Sequence, residues 1–383
     1  YFCPTSSIME MTIEQLALSF LKGVGLLRAH RLLEVFGSAE KAFEADATAW
    51  HRAEMQKNVY QNLSAIKKEA LERAHKEIEQ CGKKKIWILP YEDEAYPAIL
   101  RTCLDAPLVL YGVGNPHLDF SRSIAIVGSR HASQYGRSQT RKTVEELRNC
   151  LRCTVSGLAL GIDTETHRSS LDCGIPTVAV LGNSLDTIYP ESNRDLARQI
   201  VENGGSVISE MPLFTPTTTG VFPRRNRIIA GLSQATVLAE SALNGGAMHT
   251  ANAAESYQRL LFAVPGRNDS YYSQGCNLLI ALGKAQLLCD SSHIKAALGW
   301  EQAEPACKPR EGNKPSGTVC NRKILANFNH EKIMRILDIE NPAGWELLLN
   351  KSGQSPQTLS SSILEMEIAG LIRALPGNFY EKV

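Results

Sequence analysis

Ile124-Ala125-Ile126-Val127-Gly128-Ser129-Arg130 and, further on, Thr154-Val155-Ser156-Gly157-Leu158-Ala159-Leu160-Gly161-Ile162-Asp163 share one plan, a β-branched run followed by a loop of small residues. A short apolar run closed by Gly and Ser reads as a strand buried on both faces that stops at a turn. Between the two runs, Arg137 to Leu151 places Val144, Leu147 and Leu151 on one helical face. Strand, helix and strand in that order predict a right-handed βαβ unit in a mostly parallel sheet. All strands of such a sheet end on one edge, and ligands bind in the crevice there. Small-residue loops at two consecutive ends therefore predict that backbone N–H groups meet an anion or phosphate.

Outward from this unit, the alternation of strands and helices runs from Ile86 to Leu282, with strand ends at Val127, Val155, Leu181, Ser209, Glu240 and Val264. The third strand runs out in Gly182-Asn183-Ser184, the fourth in Ser209-Glu210, and the fifth in Glu240-Ser241 followed by Asn244-Gly245-Gly246. Five small or polar ends predict an open, hydrogen-bonding rim. Residues 11–80 read as a helical domain in which Gly23-Val24-Gly25 breaks the helical spacing of Leu16 to Phe36, a helix-hairpin-helix pattern or a plain αα-corner. The sheet domain is expected over 81–300 and a Pro-, Gly- and charge-rich linker over 301–322. A winged helix is expected over 323–383, with helices at Glu331 to Leu337 and Leu359 to Ala369 (closed by Gly370) and a hairpin through Pro376-Gly377-Asn378.

The chain has 383 residues, 43% hydrophobic and 21% charged, with a net charge of +1. That balance is ordinary for a globular protein and excludes a global basic field. Basic residues concentrate locally instead. Arg122, Arg130, Arg137, Arg141, Lys142 and Arg148 stand against Glu145 and Glu146, and Arg224, Arg225 and Arg227 have no acid beside them. Such spots on strand-end loops suit a phosphate-backbone ligand. No apolar run is long enough for a membrane helix. No signal peptide is evident, so a reducing cytoplasm is the expected compartment. Ten cysteines in a chain this long are no disulfide scaffold, and Cys150-Leu151-Arg152-Cys153 lacks a second pair for zinc.

Gly128-Ser129-Arg130 is not the G-x-G-x-x-G dinucleotide fingerprint, and no P-loop occurs, so no cofactor is expected. Pro223 in Phe222-Pro223-Arg224-Arg225-Asn226-Arg227 suits the first turn of a helix, which would gather three guanidiniums at its positive end, with Phe222 placed to stack on a base. Asp163 and His167 share a helical face, and a packed, hydrogen-bonded His167 is the simpler reading than a general base. No hydrolase or metalloprotease motif is present, and no catalytic or metal-binding residue is expected.

Five segments taken together resemble the DNA-processing protein A family (DprA, also called Smf): Ile126 to Arg130, Ser156 to Asp163, Ile188-Tyr189-Pro190, Phe222 to Ser233, and Ala263-Val264-Pro265-Gly266. The resemblance spans essentially the whole chain. It implies an extended Rossmann-like α/β domain flanked by an N-terminal helical (helix-hairpin-helix or SAM-like) domain and a C-terminal winged helix. It further implies sequence-independent binding of single-stranded DNA, loading of the recombinase RecA during natural transformation, a homodimer, and neither cofactor nor catalysis. The DNA-binding positions become Gly128, Ser129, Arg130, Ser156, Gly157, Phe222, Arg224, Arg225, Asn226, Arg227, Asn244, Gly245, Gly246 and Thr250. Cys276 to Leu288 reads as a helix apolar all round that needs a partner. The family's dimer contact maps there, through Asn277, Leu279, Ile280, Gln286 and Leu287. Leu160, Glu191 and His249 depart from the family pattern. The alternative is a nucleotide phosphoribohydrolase of the lysine-decarboxylase-like (LOG) group, echoed loosely by Gly245-Gly246, Thr250 and Glu255.

Overall fold

Residues 11–216, 220–300, 328–338, 340–354, 356–368, 371–375, 377 and 379–382 are described by the structure, a computed structural model. They fall into two compact units, Tyr1–Glu304 and Pro305–Val383. The expected linker 301–322, Gly370, Pro376 and Asn378 lie outside the described residues.

The first unit is built on nine strands: β1 (Trp87–Pro90), β2 (Val109–Gly114), β3 (Ser123–Gly128), β4 (Cys153–Ser156), β5 (Thr177–Leu181), β6 (Ser206–Ser209), β7 (Ala235–Glu240), β8 (Leu260–Ala263) and β9 (Gln286–Leu287). Their order in the sheet is β1-β2-β6-β5-β4-β3-β7-β8-β9, parallel from β6 to β9 and antiparallel where β2 meets β6 and β1. The Rossmann-like reading of the sequence therefore holds, and every strand end it placed falls within a residue of the observed one. β1, β2 and β9 were not foreseen, because two of them form the antiparallel margin and the third is only two residues long.

Strand periodicity explains how the sheet is covered. Ile124 and Ile126 of β3 join Val144, Leu147, Ile162 and Phe262 in one core, while Ala125 and Val127 join Val155, Ile228, Ile229 and Ala251 in another. Side chains alternate across a strand, so a run buried on both sides must be apolar throughout. The helix between β3 and β4 is Gln134–Leu147, started by Ser133, whose Oγ accepts the Gly136 N–H at 3.0 Å. It stops four residues short of the expected Leu151, which is buried in the turn beyond.

Ahead of the sheet come the helix Ile13–Ala17, a turn at Gly23 and the helix Leu26–Phe36. A longer helix, Leu63–Lys84, buries Leu63, Ala70, Ala74 and Cys81 on one stripe. These helices share a single apolar core with Val109 and Tyr111 of β2 and with Leu213, so they rest on the antiparallel margin of the sheet.

The second unit runs through the helix Phe328–Leu337, β10 (Ala343–Gly344), the helices Trp345–Ser352 and Pro356–Ile368, and the hairpin β11 (Ile372–Leu375) and β12 (Phe379–Lys382). Its sheet order is β10-β12-β11, over a core of Ile333, Leu337, Leu348, Leu359, Ile363, Met366 and Ile372. The helix Trp345–Ser352 escaped the sequence reading, although Gly353 closes it in a left-handed conformation.

The stretch Cys276 to Leu288 corrects an expectation. It is not one helix but the helix Gln274–Ala281, a turn at Gly283 (φ +67°), and β9 on the free edge beside β8. Leu279 is buried in the unit's own core, and Ile280 packs partly against that core. Asn277 holds Gly266 through two hydrogen bonds, its Oδ1 accepting at 3.1 Å and its Nδ2 donating at 3.0 Å. Of the five residues proposed for a dimer contact, only Gln286 and Leu287 stand exposed, joined by Leu278 and Leu282.

Candidate functional site

The chain leaves β3 toward β4, β5 and β6 on one side and returns to β7, β8 and β9 on the other. This reversal of strand order opens a crevice at the carboxyl ends of β3 and β7, where ligands bind in open α/β sheets. A cavity of about 700 Å³ lies there, lined by Gly128 to His131, Asn244 to Ala247, Thr250, Tyr189, Tyr271 and Tyr272, among others. It is far larger than a phosphate needs and falls in the range of small-ligand sites.

The first two loops meet backbone to backbone. Ile162 N–H donates to Ser129 O at 3.1 Å, and a Cβ on Gly161 would stand 2.1 Å from that same oxygen, so only glycine fits there. Ser129 N–H donates to Glu240 O at 2.7 Å, while Gly157 N–H and Ala159 N–H donate to Asp163 Oδ2 at 3.1 and 3.3 Å. Ser156 is buried, its Oγ donating to Ile126 O at 2.7 Å. The expectation that these loops present bare amides is corrected for Ser129, Gly157, Ala159 and Ile162, whose N–H groups are used in locking the loops together. The positive backbone end at the cavity belongs instead to the helix Ala247–Ser256. Its N-cap is Gly246, which has no side chain to cap the helix; Met248 and His249 N–H turn back to Gly245 O and Gly246 O at 3.0 and 3.3 Å, and the positive end borders the cavity. Asn226 fixes that turn by donating Nδ2 to Gly246 O at 3.1 Å.

The three arginines part company. Arg225 is buried, donating Nη1 to Gly157 O at 2.6 Å and to Val180 O, with Asp163 beside it. Burial lowers its pKa to about 10, with the Arg130 charge acting the same way against the pull of Asp163. Asp163 is itself pushed above the usual carboxylate range by burial, against the pull of Arg225. Taking two charges out of water costs several kcal/mol each, offset here only by their pairing and hydrogen bonds. Arg225 lines the cavity, but its guanidinium is buried and already engaged by the loop carbonyls and Asp163. Arg227 is likewise paired, with Glu210 and with Asp105 at 3.7 Å, although no acid neighbours it in sequence. Arg224 is exposed on the first turn of the helix Val221–Gly231, as Pro223 foretold. The Phe222 side chain lies outside the described residues.

Arg130 is the exposed cation of the site, lining both the cavity and a smaller cleft of about 50 Å³ beside Tyr189 and Leu160. Asn244 is exposed at the cavity and Thr250 buried in its floor. Of the five predicted strand ends, those of β5 and β6 turn inward, with Asn183 and Ser184 buried and Ser209 Oγ donating to Asn183 O at 2.7 Å. His131, Tyr189, Tyr271 and Tyr272 line the cavity without having been foreseen, since Tyr271 and Tyr272 reach it from a loop far along the chain. His167 is buried and hydrogen-bonded through Nδ1 to Thr177 Oγ1 at 2.8 Å, and burial lowers its pKa to about 3, the packed histidine that was expected. Glu255, which the phosphoribohydrolase alternative would need, pairs with Lys284 at 2.9 Å, and Asp163 is the one carboxylate among the described residues lining the cavity. Among the described residues no cluster of His, Cys, Asp and Glu could hold a metal ion, and no helix is long and apolar enough to cross a membrane.

The comparisons with known proteins converge. Protein Smf of Escherichia coli K12 is 34% identical over 296 residues, which cover 76% of each chain. The solved structure of DNA processing protein A from Streptococcus pneumoniae matches with a TM-score of 0.64 at 30% identity, covering 75% of this chain and 98% of that one. That of DNA processing protein A from Helicobacter pylori, described for its single-stranded DNA binding mode, matches with a TM-score of 0.50 at 31% identity, over 56% of this chain and 95% of that one. The sequence model for DNA recombination-mediator protein A matches residues 87–299, which carry every strand of the first unit and the whole cavity. A crevice at the sheet's switch point and a family match over the strands that build it thus have one explanation: the chain belongs to the DNA recombination-mediator protein A family, the DprA/Smf proteins, which are DNA-binding mediators rather than enzymes.

Proposed function

We propose that this protein binds single-stranded DNA in the crevice between β3 and β7, without sequence preference, and delivers a RecA-type recombinase onto it in DNA uptake and homologous recombination. It works in this reading as a cytoplasmic homodimer whose sheet body, 81–300, takes the strand, flanked by a helical domain, 11–80, and a winged helix, 323–383. One observation carries the proposal: the positive end of the helix begun at Gly246 and the exposed Arg130 guanidinium border one cavity large enough for a nucleotide. Backbone dipoles and a guanidinium engage phosphates whatever the base, which suits binding without sequence preference. The name of the streptococcal relative supports DNA, and that of the Helicobacter relative single-stranded DNA, as the ligand.

Anisotropy titrations of a fluorescent oligothymidylate at several salt concentrations test it. The wild-type protein is expected to bind with a log–log salt slope that Arg130→Ala reduces by about 0.7, one single-strand phosphate contact. Unchanged affinity and slope in that variant would remove Arg130 from the site. Incubated with AMP, the protein is expected to release no adenine.

A further inference from the structure

The cavity has a wall that phosphate binding does not explain. Tyr271 and Tyr272 meet edge to face, their ring centroids 5.1 Å apart at 78°, and Tyr272 is backed by the His131 ring at 6.2 Å and 30°. All three line the same cavity as Arg130 and Gly246. Tyr271 nevertheless leaves 62% of its surface in water, and Tyr189, where the cavity meets the small cleft, leaves 54%. The part of the Tyr271 ring left in water can meet a planar group.

The platform is held rigid. Its loop follows Gly266, which Asn277 grips from both sides, and it ends in the turn Tyr271–Ser273. Just beyond, Gly275 N–H donates to Ser241 O at 2.8 Å, tying the loop to the end of β7. An aromatic face fixed before the ligand arrives loses little conformational freedom on binding.

We infer that Tyr271, braced by Tyr272 and His131, is a stacking platform for one nucleobase of the bound strand, which turns into the cavity while its flanking phosphates meet Arg130 and the Gly246 helix end. The inference deepens the single-strand reading and rests on it. Every base has a π-face, so the platform adds affinity without reading sequence.

A single strand carrying 2-aminopurine in an oligothymidylate context tests this, because stacking quenches that base. The wild-type protein is expected to quench it on binding. Tyr271→Ala should bind about ten-fold more weakly, within the range of a lost base stack, with the quench lost and the salt slope unchanged. Tyr271→Phe should restore both affinity and quench. An oligonucleotide with abasic sites should bind wild type and Tyr271→Ala alike, with melting curves confirming that both are folded. If wild type binds the strand yet Tyr271→Ala matches it in affinity and quench, the platform is overturned while the DNA reading stands. If wild type binds no single strand at all, both are overturned together.

Discussion

Arg225 and Arg130 carry the same side chain in the same neighbourhood and do opposite work. Arg225 is buried between Asp163 and two carbonyl oxygens, whereas Arg130 stands exposed at the mouth of the cavity. Removing Arg225 leaves Asp163 as a buried carboxylate without its partner. Arg225→Ala is therefore expected to destabilise the protein by about 3–5 kcal/mol. Pairing Arg225→Met with Asp163→Asn should recover most of that loss, since no charge is then stranded. Urea unfolding of the two variants decides between this and a direct phosphate role, in which Arg225→Ala would fold normally and simply bind DNA more weakly. Arg227, paired to Glu210, belongs with Arg225 as an architectural arginine.

At the scale of elements, the edge formed by the helix Gln274–Ala281 and β9 carries exposed apolar side chains. Leu278, Leu282 and Leu287 leave 41%, 59% and 43% of their surfaces exposed at the open margin of the sheet. An unpaired edge strand beside exposed leucines is a natural place for a second copy to join. Ile280 is a poor probe of this, because it packs on the unit's own core and a charge there would disturb folding. Leu282→Glu and Leu287→Lys change exposed positions and should alter folding stability by only about 0.5 kcal/mol. Both are expected to release monomers in light scattering at low micromolar concentration. A dimer that survived both substitutions would place the contact elsewhere.

Taken whole, the molecule keeps its crevice and its second core in separate compact units. The helix Pro356–Ile368 of the second unit exposes Glu365 and Glu367 and contains no Lys or Arg, which sets it against a phosphate backbone. A protein chain ending at Glu304 is expected to bind single strands with the affinity and salt slope of the full chain. The full chain should show no gain for duplex over single strand. A lower slope on truncation would assign phosphate contacts to the second unit.

Strand runs and the helix begun near Pro223 were legible in the sequence, because periodicity and proline geometry act over a few residues. The order of strand ends was legible for the same reason, and the edge it pointed to carries the cavity. Which amides on that edge are used, which arginines are paired, and which rings share a cavity with Arg130 were decided by tertiary structure alone. Glu210 reaches Arg227, Asp163 reaches Arg225, and Tyr271 reaches the crevice only after the sheet has brought distant loops to one edge. A contact between residues far apart in sequence leaves no local pattern. Its energy depends on burial, which local periodicity cannot report.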